Sequence, residues 1–117
     1  MTFLVAEDNR RMRESIIRFI NGKIPDHHTF HEAADGAEAV ALYHSVLPDY
    51  VVMDIEMEPM DGLTASKNIL HSHPAAKIVI LTSYDDARYR NAAAQAGVWA
   101  YVLKDHMNEL IDLIASP

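Results

Sequence analysis

Apolar and polar positions fall in blocks along this chain, and the blocks alternate between two periods. Thr2-Phe3-Leu4-Val5-Ala6 is an apolar run that stops abruptly at Glu7-Asp8-Asn9. Such a run, without polar alternation, fits a short strand covered on both faces. The next apolar positions, Met12, Ile16, Ile17 and Ile20, recur at helical spacing. They predict a helix from Arg10 to Ile20, with Asn9 as N-cap and Asn21-Gly22 as its end. His28-Thr29-Phe30-His31-Glu32-Ala33 is a weaker, more polar strand of the kind found near a sheet edge. Ala34-Asp35-Gly36 turns the chain into a helix from Ala37 to His44, and Pro48-Asp49 punctuates.

The alternation then repeats. Tyr50-Val51-Val52-Met53 is a continuous apolar strand reaching Asp54, and Met60-Asp61-Gly62 turns into a helix from Leu63 to about Ser72. Pro74 breaks that helix. Lys77 to Thr82 is another apolar strand, Asp85 to Ala96 an alanine-rich helix stopped by Gly97, and Val98 to Leu103 a strand ending at Lys104. Met107, Leu110, Ile111 and Ile114 mark a last helix. Strict strand–helix alternation predicts an α/β sandwich with a mostly parallel sheet, helices on both faces and right-handed crossovers. In such sheets a ligand sits beyond the carboxyl ends of the strands, where the strand order reverses.

Composition narrows the class. The chain has 117 residues, half of them apolar, which suits a single domain over 1–117 with a core of its own. Cysteine is absent, so disulfides and thiolate metal sites are excluded. The formal charge of −7 argues against direct contact with nucleic acid or anionic lipid. No apolar run is long enough to span a membrane, and the first residues lack a basic leader, so a cytoplasmic location is expected. Repeats and low-complexity segments are absent.

Candidate chemistry collects at the strand ends. Val51-Val52-Met53-Asp54-Ile55-Glu56-Met57-Glu58-Pro59-Met60-Asp61-Gly62 drives an apolar strand straight into four acids with no basic residue among them. Strand one delivers Glu7 and Asp8, strand three Asp54, strand four Thr82 and Ser83, and strand five Lys104. Three converging carboxylates would hold protons or take up a cation, unless they are merely solvated loop acids. Oxygen-only donors favour a hard ion such as Mg²⁺. A dication, a lysine and a threonine hydroxyl together suit a phosphoryl group. Residues 7–11 contain no glycine, so no phosphate-cradling loop follows strand one. A carboxylate nucleophile, as in aspartyl-phosphate chemistry, is the better fit.

The acid pair after strand one, Asp54-Ile55-Glu56-Met57 with Met60-Asp61-Gly62, Leu81-Thr82-Ser83, and Tyr101-Val102-Leu103-Lys104 occur in this order at successive strand ends. This set resembles the receiver domain of two-component response regulators over essentially the whole chain. The resemblance implies a flavodoxin-like doubly wound (βα)5 three-layer sandwich with a parallel five-stranded sheet in the order 2-1-3-4-5. It implies Asp54 as the phosphoacceptor, with Mg²⁺ held by Asp8 and Asp54, by Glu7 through water and by Glu56 through its backbone carbonyl. Thr82 and Lys104 would bind the phosphoryl group, Ser83 would leave access, and Tyr101 would be the aromatic that follows Thr82. The chain would be a switch rather than an enzyme, catalysing only its own phosphoryl transfer and dephosphorylation. The implied partners are a histidine kinase or phosphotransfer protein, and a homodimer mate or output domain on the 84–115 face.

Two positions depart from the family pattern. Glu58 stands where proline is common, with Pro59 one later, so a different loop path is expected. Asp105 follows Lys104 where the family often has a cis proline, and a non-proline cis bond would cost roughly 3 kcal/mol. The Lys-Asp pair resembles receivers attached to LuxR-type helix-turn-helix domains, which links the chain to transcription regulation. Two alternatives stand beside this reading. A pseudo-receiver interaction module would lack the acceptor or the lysine, and a haloacid-dehalogenase-type phosphoaspartate hydrolase would carry an Asp-x-Asp nucleophile near its start. Asp61 reads as a cap, Glu58 as solvated, and Met53, Met57 and Met60 as packing. The seven histidines read as surface residues, because neither His27, His28 and His31 nor His71 and His73 bring a third ligand. Alternation places Trp99 and Tyr101 on one strand face.

Overall fold

A computed structural model of the chain describes residues 1–115. Five strands alternate with five α-helices: β1 (Thr2–Ala6), α1 (Arg10–Lys23), β2 (Thr29–Ala33), α2 (Gly36–Val46), β3 (Tyr50–Met53), α3 (Gly62–Ser72), β4 (Ile78–Thr82), α4 (Ala87–Ala96), β5 (Ala100–Leu103) and α5 (Met107–Ala115). A single 3₁₀ turn, Lys104–His106, joins β5 to α5. All strands pair in parallel in the order β2-β1-β3-β4-β5, the doubly wound arrangement.

Side-chain alternation sorts the apolar residues into two cores. Leu4, Ala6, Val51, Met53, Ile78 and Ile80 face α2, α3 and α4, where they meet Ala39, Tyr43, Ala65, Ile69 and Ala93. Phe3, Val5, Val52, Val79, Leu81 and Val102 face α1 and α5, against Ile16, Ile20, Leu110 and Ile114. The three central strands are covered on both faces, which is why their sequences read as unbroken apolar runs. β2 and β5 are the edges, and β2 is the more polar strand, as its sequence required.

Helix starts follow local chemistry. Asn9, Asp35, Asp61 and Asp86 are N-caps whose side chains accept backbone N–H groups from Met12, Glu38, Thr64 and Arg88. Asp61 is thus a cap, as expected. Gly97 ends α4 in the left-handed conformation at φ 90°. Four expectations need correction. Asn21-Gly22 does not end α1, which runs on to Lys23, because Ile24 buries its side chain and its N–H still reaches Ile20 O. β5 starts at Ala100 rather than Val98, and α4 at Ala87 rather than Asp85. Trp99 therefore precedes the strand and escapes its alternation. Its ring meets Tyr50 at 5.6 Å, whereas Tyr101 packs on the opposite core.

Candidate functional site

Strand order places the site. β1 lies between β2 and β3, so the chain crosses to opposite faces of the sheet from this point. The carboxyl ends of β1 and β3 carry Glu7-Asp8 and Asp54. Backbone hydrogen bonds continue the ladders beyond the strands: Asp54 N–H donates to Ala6 O at 3.0 Å and Glu7 N–H to Ala33 O at 3.0 Å. Both acids are therefore held by neighbouring strands rather than by loops.

Carboxylate oxygens of Glu7, Asp8 and Asp54 lie within 4.8 Å of one another, the one such group of potential metal ligands among the described residues. Glu7 and Asp54 are buried and Asp8 is exposed. Lys104, brought in by the end of β5, places Nζ 2.7 Å from Glu7 Oε1 and 3.5 Å from Asp54 Oδ2. Glu7 Oε2 accepts the Asn9 N–H at 3.1 Å, and Asp54 Oδ1 accepts the Ile55 N–H at 2.9 Å. Thr82 is fully buried, and its Oγ1 accepts the Tyr84 N–H at 3.3 Å. That bond leaves the Thr82 hydroxyl proton free to donate. Asp54, Glu56, Thr82, Ser83, Tyr84 and Lys104 line a small cleft of about 160 Å³.

Electrostatics follow from this crowding. Burial, and then the charge of Glu7, push the Asp54 carboxyl up to about 6, against the pull of Lys104. Burial opposes ionisation of Glu7, but the Lys104 and Asn9 hydrogen bonds outweigh it and hold the carboxyl below its ordinary value. Asp8, although exposed, is raised by partial desolvation of its carboxyl and by the neighbouring Glu7. Burial disfavours the Lys104 ammonium, yet Glu7 and Asp54 keep its pKa above the ordinary lysine value. Two acids held above their normal range beside a third, with oxygen donors only, are a donor set that fits a hard divalent cation.

Two supporting residues carried no sequence signal for this role. Arg13 reaches back from α1, donating to Glu7 O at 2.7 Å while pairing with Glu32 at 2.8 Å. Gly62 does more than turn the chain. A Cβ there would overlap the Asp54 carbonyl oxygen, and its N–H donates to Ile55 O at 2.9 Å. Only glycine lets the start of α3 lie against the Asp54 backbone.

Around the site, Glu56 and Glu58 are exposed, and the Glu56 carboxylate beside the Tyr84 hydroxyl pushes that phenol up to about 12. Tyr84 stacks on Tyr89 at 5.1 Å. Tyr101 is half-buried; its hydroxyl donates to Tyr84 O at 2.7 Å and its ring lies 4.7 Å under the Arg90 guanidinium. The Lys104–Asp105 peptide is trans, and the cis bond is Glu58–Pro59. Met53 and Met57 are buried in the core, with Met60 packed against it.

Residues 3–115 match the family model described as the response regulator receiver domain. The chain belongs to the response regulator receiver family. The receiver is 38% identical over 105 residues to an uncharacterized transcriptional regulatory protein, YhcZ, of Bacillus subtilis strain 168, covering 90% of this chain and 49% of that protein. It is 36% identical over 101 residues to the transcriptional regulatory protein LiaR of the same strain, covering 86% and 47%. The receiver thus spans about half the length of these relatives. Among solved structures it resembles a LuxR-family DNA-binding response regulator from Staphylococcus aureus, with TM-score 0.87, 29% identity, and 97% and 94% of the two chains covered. Receivers of this family are signalling switches. No helix among the described residues of this one is long and apolar enough to cross a membrane.

Proposed function

We propose that this receiver accepts a phosphoryl group on Asp54 from the phosphohistidine of a partner kinase or phosphotransfer protein, and relays it to a transcriptional output. The observation that carries the reading is the convergence of Asp54, Thr82 and Lys104 from three different strand ends on one small cleft. An Asp54 carboxylate oxygen attacks phosphorus as the donor's phosphorus–nitrogen bond breaks, leaving an acyl phosphate. Lys104 turns from Glu7 to the incoming phosphoryl oxygens, and Thr82 donates its hydroxyl to another of them. Asp8 and Asp54 would hold Mg²⁺, with Glu7 through water and Glu56 through its carbonyl, and the ion would neutralise charge on the transferred group.

Output is read on the face formed by α4, β5 and α5. Movement of Thr82 toward the phosphoryl group disturbs its bond from Tyr84 N–H, and Tyr84 O is what the Tyr101 hydroxyl grips. Thr82 and Tyr101 are thereby the two ends of one relay, and phosphorylation shifts a population between two arrangements of this face. A DNA-binding domain of the LuxR type, a second receiver or another protein is the recipient, in the cytoplasm.

The test is incubation with Mg²⁺ and a small phosphodonor such as acetyl phosphate, read by intact mass and by peptide mapping. A lasting acyl phosphate on Asp54 is expected. Rapid turnover without accumulation would make the chain a phosphoaspartate hydrolase, and absence of both labelling and turnover would make it a pseudo-receiver.

A further inference from the structure

We propose that His44 and His73 form a second cation site, a two-imidazole site for a borderline divalent transition ion of the Zn²⁺ or Cu²⁺ class. His44 lies in the last turn of α2 and His73 is the C-cap of α3. Across 29 positions of sequence the fold brings His44 Nδ1 to 2.9 Å from His73 Nε2. Two imidazole nitrogens in such contact share one proton: one donates N–H and the other presents a lone pair. The ring centroids are 5.0 Å apart with planes 46° to each other, so the two nitrogens point toward one another.

Their surroundings favour a cation. Both rings sit at helix C-termini, which carry partial negative charge. The His73 ring rests 5.0 Å from the ring of Tyr43, a buried residue, so one side of the pair has a fixed wall. His44 is exposed, and small rotations of its side chain are open to it. On binding, the donor ring changes tautomer: it gives up the shared proton and takes one from solvent on its other nitrogen, so both rings stay neutral and aim their lone pairs at one ion. At zinc–nitrogen distances of about 2.0–2.1 Å in a tetrahedral shell, the nitrogens stand roughly 3.3 Å apart, so the pair opens by only about 0.4 Å. No third His, Cys, Asp or Glu ligand joins them among the described residues, so water completes the shell.

This site is independent of the acidic one in place and in chemistry. α2 leads into β3 and α3 into β4, so the pair lies at the amino ends of those strands, opposite Asp54. Imidazoles select zinc, copper or nickel, whereas the Glu7-Asp8-Asp54 oxygens suit magnesium. A bound ion would tie the end of α2 to the end of α3 and stabilise the native chain by mass action.

The experiment uses the whole chain in excess Mg²⁺, which occupies the carboxylates and leaves imidazoles free. Zn²⁺ is titrated by calorimetry, and substoichiometric Cu²⁺ is mapped by paramagnetic broadening of amide resonances. Expected are one saturable equivalent of Zn²⁺ and broadening centred on residues 44 and 73. His44→Gln and His73→Gln should each weaken binding by about tenfold or more and abolish the Zn²⁺-dependent rise in melting temperature. Asp8→Ala should change neither. Broadening centred on Glu7, Asp8 and Asp54, or on another histidine, overturns the proposal, as does undiminished Zn²⁺ affinity in either glutamine variant.

Discussion

Lys104 Nζ bonds Glu7 Oε1 at 2.7 Å across 97 positions of sequence. Both side chains are largely shielded from water, at 17% and 2% exposure. The ammonium is closer to Glu7 than to Asp54, so Asp54 is left only partly compensated. Replacing the lysine strands two buried carboxylates. Lys104→Met should destabilise the fold at neutral pH by about 3 kcal/mol, read by chemical denaturation. Glu7 has a lowered pKa, so its contribution is present above its ordinary value of 4.5 and lost as pH falls through the folded value. The gap between parent and variant should therefore shrink in acid. A neutral-pH loss well below 1 kcal/mol would show that the pair contributes little.

Asp54 titrates the other way. Its carboxyl is raised from 3.8 to about 6, so the folded state binds that proton more tightly than the unfolded state does. Stability contributed by this group is full below the ordinary value and falls as pH rises through about 6. Asp54→Asn removes the charge. Without divalent ions it should be more stable than the parent at neutral pH by on the order of 2–3 kcal/mol, with no difference below about pH 4. It should also fail to form acyl phosphate. Equal melting temperatures at neutral pH would mean that the charge is relieved in some other way.

Mg²⁺ should reverse that penalty. Binding to the native state at about a hundredfold excess over Kd adds roughly 2.7 kcal/mol. The melting temperature should climb with Mg²⁺ up to millimolar concentrations, and Asp8→Ala should flatten the climb. A titration flat for the parent counts against the carboxylates as ligands.

Gly62→Ala should be far more damaging than an ordinary surface change. Its methyl group meets the Asp54 carbonyl, which is backbone and has no room to retreat. A loss of about 3 kcal/mol or more is expected, together with slower phosphorylation, since moving that carbonyl moves the acceptor. A variant matching the parent in both denaturation midpoint and labelling rate would refute the crowding.

Tyr101 offers a separate reading of the relay. Thr82→Ala should still accept phosphate but should lose most of the shift changes that beryllofluoride produces over residues 84–106 in NMR spectra. Changes confined to the Asp54 loop in the parent would place the output surface elsewhere.

Much of this molecule was legible in order of residues alone. Strands covered on both faces must be apolar along the covered run, so Phe3 to Ala6, Val51 to Met53 and Ile78 to Leu81 announce themselves. Polar residues begin where the apolar run stops, which is why the grouping of Glu7, Asp8, Asp54, Thr82 and Lys104 could be expected from the strand ends. Caps were legible too, because Asn9 and Asp61 act on N–H groups only three residues away. What tertiary structure alone decided depends on distance through space between residues far apart in the chain. Lys104 pairs with Glu7 before Asp54, Gly62 clears the Asp54 carbonyl, and Trp99 turns to Tyr50 because it stands one residue outside its strand. His44 carried no signal at all, and it meets His73 only because α2 and α3 pack side by side on one face of the sheet. Periodicity encodes which face a residue takes; it does not encode which partner from another element arrives there.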